Sequence, residues 1–247
     1  MLAAAAFAAG AVNAVAGGGS LISFPALVAV GVPTLAANVT NQVALLPGYV
    51  GGTVAYRDEL RGQRRRAVAL SVTSSVGAVV GALLLVVSSQ RLFAVLAPLL
   101  VLVAVGLLAA QPRLSRVAAE YASHPHARTV PGRGLHAANF AAAIYGGYFG
   151  AGLGIMLLAI LAVGLEDSLQ RLNALKGLLS LVVGVLAAVF FALFGPVHWD
   201  AAGVMAVASF VGGHAGVGVA RRISDRALRV GIIVIGTAVA AWLFARL

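Results

Sequence analysis

No charged side chain occurs in residues 1–56; the first is Arg57. Four later stretches, 67–90, 92–112, 134–165 and 177–199, are equally free of Asp, Glu, Lys and Arg. A helix needs roughly 20 apolar residues to cross the hydrocarbon of a bilayer, and the chain meets that length repeatedly within its 247 residues. Charged residues make up 10% of the sequence, against about 25% for a soluble domain. The mean hydropathy is +1.01. Nothing remains to coat a water-facing surface, so one polytopic membrane domain, surrounded by lipid bilayer, is expected.

The formal net charge is +10. In a soluble chain this would raise nucleic-acid binding. Here the arginines sit in short loops between apolar runs, the positive-inside pattern of membrane proteins, and no nucleic-acid partner is expected. There is no cysteine, which excludes disulfides, thiolate zinc sites and thiol catalysis. Residues 1–16 are apolar and contain Ala14-Val15-Ala16, which mimics a signal-peptidase site. No positive segment precedes it and apolar sequence continues to Gly31, so a cleaved signal peptide is not expected.

Six helical spans are expected, at 37–56, 67–87, 92–110, 172–194, 201–219 and 228–245. Two longer apolar segments remain, 1–30 and 135–163. Glycine interrupts each near its middle: Gly17-Gly18-Gly19-Ser20 in the first, Gly146-Gly147 and Gly150-Ala151-Gly152-Leu153-Gly154 in the second. Glycine clusters weaken helices through backbone entropy, so both segments are expected as broken hairpins of two half-helices. Arg57, Arg61, Arg64, Arg65 and Arg66 place the first basic loop in the cytoplasm. Arg113, Arg116, Arg128 and Arg133 do so for the central loop, and Arg221, Arg222 and Arg226 for the last. Hairpin 1–30 then enters from outside, hairpin 135–163 re-enters from inside, and both termini fall outside.

The halves resemble each other. Ala26–Val32 matches Ala159–Leu165, and Gly19 aligns with Gly152 at the same offset. Asn41 aligns with Asn173 after a one-residue gap. Gly77-x-x-x-Gly81 aligns with Gly212-x-x-x-Gly216, and Ser89-Gln90-Arg91 with Ser224-Asp225-Arg226. The expected fold is an all-α integral membrane protein built as an inverted repeat. Each half is a broken re-entrant hairpin plus three transmembrane helices. The first repeat is 1–110, the cytoplasmic linker 111–134 and the second repeat 135–247. Inverted repeats with discontinuous helices are characteristic of secondary transporters, whose site lies where the repeats meet.

Helix ends exposed at the glycine breaks would favour an anion, which makes Gly18, Gly19, Ser20 and Gly152 candidate binding positions. Gly77, Gly81, Gly212 and Gly216 read instead as helix-packing glycines. The cluster Asn38-Val39-Thr40-Asn41-Gln42 opens a span. One residue, Asn38 or Thr40, would serve as an N-cap. Thr40, Asn41 and Gln42 are candidates for hydrogen-bonding an oxyanion. Their counterpart is Asn173-Ala174-Leu175-Lys176, which contains the sole lysine. Two readings of Lys176 stand: a snorkelling interfacial cation, or a charge balancing an anionic substrate. Tyr49, Tyr145 and Tyr148 flank the breaks and are candidate site-lining residues. Pro25 and Pro47 are expected to kink their helices. His136 and His214 lie at the edges of spans without an evident partner. Glu166 and Asp167 sit beside Arg171 as ordinary loop charges, and His124 and His126 belong to the linker.

Gly17-Gly18-Gly19-Ser20-Leu21-Ile22-Ser23-Phe24-Pro25-Ala26-Leu27 resembles the glycine-rich opening of the sulfite exporter TauE/SafE family. So do Thr40–Gly48, Gly51-Gly52 and Tyr56-Arg57. Asn173–Lys176 and Gly150–Gly154 extend the resemblance over nearly the whole chain, although Leu172 stands where Thr40 does in the first half. The resemblance implies export of a small sulfur-containing anion (sulfite, sulfoacetate or a related sulfonate) across a bacterial inner membrane. The residues themselves support only a small anion, through polar helix starts, one lysine and no buried carboxylates; transport by alternating access is the expected mode, with no catalytic residues and no cofactor or metal expected. A homodimer is compatible with the sequence. No nucleotide-binding motif is present, so ATP would need a separate subunit, and a proton gradient is one candidate drive. A passive anion channel is the nearest alternative. Spacing alone permits an intramembrane serine–lysine dyad, since Ser180 lies one turn from Lys176, but no second catalytic feature accompanies it.

Overall fold

The computed structural model describes residues 1–15, 18–122, 131–220 and 225–245. Among these the chain is helical, with no strand: α1 (Leu2–Val15), α2 (Ser20–Ala29), α3 (Thr34–Ala55), α4 (Arg64–Val87), α5 (Gln90–Ala122), α6 (Arg133–Tyr148), α7 (Leu153–Gly164), α8 (Leu169–Phe194), α9 (Trp199–Ala220) and α10 (Asp225–Phe244). Gly17, His124, His126, Arg128, Arg221, Arg222 and Ser224 lie outside the described residues. The six expected spans correspond to α3, α4, α5, α8, α9 and α10, each starting two or three residues earlier than expected. Polar residues such as Arg64–Arg66 and Gln90 occupy those first turns. They form helix at the edge of the apolar zone, where a reading of apolar runs trims them away. α5 differs most. It runs for 33 residues through Pro98 and Pro112, so positions 111–122 of the expected linker are helix.

Arg64–Val87, Gln90–Arg113 and Leu169–Phe194 are, among the described residues, long and apolar enough to cross a membrane. On α4, Val68, Val72, Val76, Val79, Leu83 and Val87 are exposed. They recur every three or four residues, so they form one stripe. The opposite face buries Ala67, Leu70, Ser74, Gly77, Ala78, Gly81, Ala82 and Leu85. Large apolar side chains outward and small ones inward is the arrangement of a helix between lipid and protein.

Segments 1–30 and 135–163 each divide into two short helices. α1, α2, α6 and α7 have 14, 10, 16 and 12 residues. At 1.5 Å per residue they are about 15–24 Å long, below the ~30 Å of bilayer hydrocarbon. Gly18, Gly150 and Gly152 have φ of +89°, +81° and +79°, left-handed backbone that glycine adopts without the penalty other residues carry. Gly146 and Gly147 do not break the chain as expected. They lie buried inside α6, and a Cβ on Gly147 would sit 2.3 Å from the Ala78 carbonyl oxygen of α4. Close helix approach outweighs their poor helix propensity.

The same device sets the rest of the packing. α1 packs on α9 and α6 on α4; α3 packs on α9 and α8 on α4; α3 crosses α8, and α5 meets α10. A Cβ on Gly212 would lie 2.1 Å from the Phe7 oxygen, one on Gly77 2.7 Å from the Phe140 oxygen, and one on Gly81 2.1 Å from the Ile144 oxygen. Backbone therefore rests on backbone at both helix pairs.

Asp167, expected to be an ordinary loop charge, is the centre of a network between α4 and the start of α8. Arg66 donates to it from Nη2, and Arg171 from Nε at 2.9 Å. Gln63 accepts from Arg66 Nε at 2.8 Å and donates to the Arg171 carbonyl at 3.1 Å. Elsewhere the α2–α3 turn is tied to α5 by neutral groups, with Gln90 Nε2 donating to the Thr34 hydroxyl at 3.0 Å.

Two outcomes follow. Gly81→Ala should lower stability by about 1–3 kcal/mol through overpacking. Gly106→Ala, where a Cβ meets nothing within 4 Å, should be neutral or stabilising by up to about 1 kcal/mol; thermal unfolding in detergent separates them. Burial alone would raise the Asp167 carboxyl, but hydrogen bonds from Arg171, Arg66 and the Ser168 N–H, with the Arg66 charge, hold it below its ordinary 3.8. A depressed folded-state value stabilises fully above the unfolded value and is lost as pH falls through the folded one. The Asp167 contribution should thus be constant from about pH 5 to 8 and decline only below about pH 4. Asp167→Asn should lower the melting temperature at neutral pH and flatten the acid decline.

Candidate functional site

α3 and α8 cross at the centre of the molecule. The Thr53 hydroxyl, which donates to the Tyr49 carbonyl at 3.0 Å, lies 3.3 Å from the Gly177 carbonyl of α8, and Gly184 of α8 faces the Tyr49 ring. Tyr49 and Thr53 lie one turn apart on one face of α3, and Tyr56 follows at its C-cap. Asn173, Lys176, Gly177 and Ser180 recur at helical spacing on one face of α8. These faces, with Asn13 of α1 and both glycine breaks, enclose a cavity of about 60 Å³. Gly18 and Ser20 line it from the first break, and Gly150, Gly152 and Gly154 from the second.

Each break is held by side chains. Asn13 Oδ1 accepts from the Gly19 N–H at 2.7 Å, satisfying a donor at the start of α2. The Tyr145 hydroxyl donates to the Ala151 carbonyl at 2.6 Å, fixing the turn before α7. Gly152 caps α7 without any side-chain hydrogen bond, so the opening N–H groups of that helix have no capping side chain and carry the positive end of its dipole.

Lys176 is the one cation among the described residues of the cavity wall. The ion pairs among the described residues are Arg61–Asp58, Arg66–Asp167 and Arg171–Asp167; none involves Lys176. A Cβ on Gly154 would lie 3.7 Å from Lys176 Cδ, so bare backbone forms the opposite wall. A desolvated ammonium without a carboxylate is unfavourable until an anion joins it. Among the described residues the cavity thus combines one cationic side chain, two helix breaks and several polar groups, with no acidic side chain on its wall. Such a site can hold a small anion.

Gly18, Ser20, Gly152, Asn173 and Lys176 therefore come together, as does Tyr49. Gln42 lines an adjoining cavity of about 20 Å³ that shares Ser20, Tyr49 and Ser180 with the larger one. Gly19, Thr40 and Asn41 do not line either cavity. Gly19 packs against the Ala9 carbonyl. The Thr40 hydroxyl accepts from the His198 N–H at 3.0 Å, and Asn41 Oδ1 accepts from the Ser23 hydroxyl at 2.5 Å. Neither Asn38 nor Thr40 caps α3, whose N-cap is Pro33. Asn38 instead donates to the Tyr148 carbonyl at 2.9 Å, at the end of α6. His136 has a partner after all, the Thr73 hydroxyl 2.7 Å from Nδ1. Sequence reading missed Asn13, Thr53 and Tyr56. Thr53 and Tyr56 follow Tyr49 at i+4 and i+7, and Asn13 is the only hydrogen-bonding side chain in α1; these were the available signals.

The chain is similar over nearly its whole length to proteins named as membrane transporters. The chain is 25% identical over 241 residues to the "Probable membrane transporter protein ORF9" of Sinorhizobium sp, covering 98% of this chain and 90% of that protein. It is 25% identical over 242 residues to the "Probable membrane transporter protein YfcA" of Escherichia coli K12, covering 94% and 84%. No solved structure gives a significant match. These similarities indicate a membrane transporter and not an enzyme. The model of the family described as "Sulfite exporter TauE/SafE" matches residues 2–243, and the chain belongs to that family.

Proposed function

We propose that this transporter moves a small sulfur-containing oxyanion, with sulfite the best fit, out of the cytoplasm by alternating access. The observation that carries the reading is Lys176, unpaired in a cavity between two glycine breaks. Size narrows the substrate. A water needs ~10–15 Å³ of such space, so the 60 Å³ cavity takes roughly four to six water-sized groups. A pyramidal or tetrahedral oxyanion of four or five heavy atoms fits. Sulfoacetate or a larger sulfonate would require the cavity to widen. The family description and the lack of acidic wall residues support the same class.

The helix pairings support an inverted duplication as the basis of the cycle. α1 on α9 corresponds to α6 on α4, and α3 on α9 to α8 on α4, when 1–110 is matched with 135–247. Phe7 over Gly212 and Phe140 over Gly77 correspond in the same way. Each hairpin thereby packs on a helix of the other half, and rocking one half against the other would expose the site to each face in turn. Arginine-rich loops support cytoplasmic 57–66 and 111–134, external termini and an inner-membrane location.

In proteoliposomes, Lys176→Met should reduce sulfite flux at least ten-fold while retaining wild-type thermal stability; undiminished flux would remove Lys176 from the site. A proton ionophore should collapse uphill sulfite accumulation. Flux that only ever runs downhill, whatever the proton gradient, would instead mark a passive anion channel.

A further inference from the structure

Ser180 lies one turn beyond Lys176 on the same face of α8 and is buried, 7% exposed. It lines both the 60 Å³ and the 20 Å³ cavities. Its hydroxyl has no hydrogen-bond partner. That is unusual chemistry for a serine inside a helix, because such a hydroxyl ordinarily turns back to a carbonyl of the preceding turn. Thr53 does so to Tyr49 at 3.0 Å, Thr73 to Ala69 at 3.2 Å and Ser88 to Leu84 at 2.7 Å. A buried polar group left unmatched destabilises a fold, and this one belongs to a residue on the wall of the cavity that Lys176 lines.

We propose that Ser180 is a substrate-contacting residue whose hydroxyl donates a hydrogen bond to an oxygen of the bound oxyanion while Lys176 neutralises its charge. The inference rests on the reading of the cavity as an anion site. Lysine alone is a point charge on a flexible stem and fixes no orientation. A short, rotamer-limited hydroxyl one turn away supplies a second contact at a defined place. Its donor is free in the empty protein because the ligand is its partner. The shared wall lets the same hydroxyl reach an anion in either compartment.

The test uses a property in which a structural serine and a ligand-contacting serine differ in sign. Purified protein and its Ser180→Ala variant are compared by thermal unfolding with and without sulfite, and by sulfite KM in proteoliposomes. Removing an unmatched buried hydroxyl should leave the melting temperature of the empty protein equal or higher. The sulfite-induced rise in melting temperature should shrink, and KM should increase about ten-fold or more, as for a lost hydrogen bond to a charged group. Ser180→Thr, which keeps the hydroxyl, should recover part of the sulfite response. An empty variant that is destabilised yet keeps its full sulfite response would overturn the proposal and make Ser180 structural. Loss of binding in Lys176→Met with wild-type binding in Ser180→Ala would overturn this inference alone. A wild-type protein stabilised by none of sulfite, sulfate, thiosulfate and sulfoacetate would overturn the anion-site reading with it.

Discussion

Inside bilayer hydrocarbon, a peptide N–H or C=O that leaves its helix has no water to turn to. A chain can break a helix at that depth only where other protein groups surround the break. α1–α2 and α6–α7 break in this way, and the neighbouring helices are arranged around that requirement. α9 and α4 present glycine to α1 and α6, so that backbone meets backbone. Asn13 and Tyr145 reach into the breaks to take up a donor and an acceptor. Asn38 and Gln42 of α3 donate toward the carbonyls of Tyr148 and Gly147, where α6 ends.

The division of labour among the polar residues follows. Asn38, Thr40 and Asn41 are buried, and each makes one side-chain hydrogen bond, to backbone or to Ser23, while Asn38 Oδ1 and Asn41 Nδ2 have no partner; they brace the elements that frame the site. Lys176 and Ser180 line the cavity; Lys176 is in none of the ion pairs among the described residues, and the Ser180 hydroxyl has no hydrogen-bond partner.

Much of the fold was legible because lipid imposes a simple rule on composition. Charge-free runs marked the long helices, and paired glycine clusters marked both breaks. Composition cannot distinguish a glycine that turns the chain from one that lets another helix approach. Gly146–Gly147 and Gly150–Gly152 look alike in sequence, and only the sign of φ and the nearness of Ala78 separate them. Asn173 and Lys176 were legible as isolated polarity in an apolar run. The 38–42 cluster was not, because its partners come from α2, α6 and the α8–α9 connection, far away in sequence. The extension of α5 beyond residue 110 was hidden because Pro112, Arg113 and Arg116 fall where the apolar run gives way to charge, which read as linker, yet they lie within the helix.

The solitary charge of Lys176 also bears on energetics across the membrane. On the proposed reading, with no carboxylate among the described lining residues, a protonated Lys176 would give the empty site one positive charge and a site loaded with a monoanion none. In an alternating cycle the loaded step is then electrically silent, while the return of the empty site moves charge through the field. That step is worth up to about 2.3 kcal/mol per 100 mV, scaled by the fraction of the field crossed. A potential negative inside draws the empty cationic site back toward the cytoplasm. Resting voltage would thus reset an exporter of this design toward its loading side, visible as a voltage dependence confined to the unloaded half of the cycle.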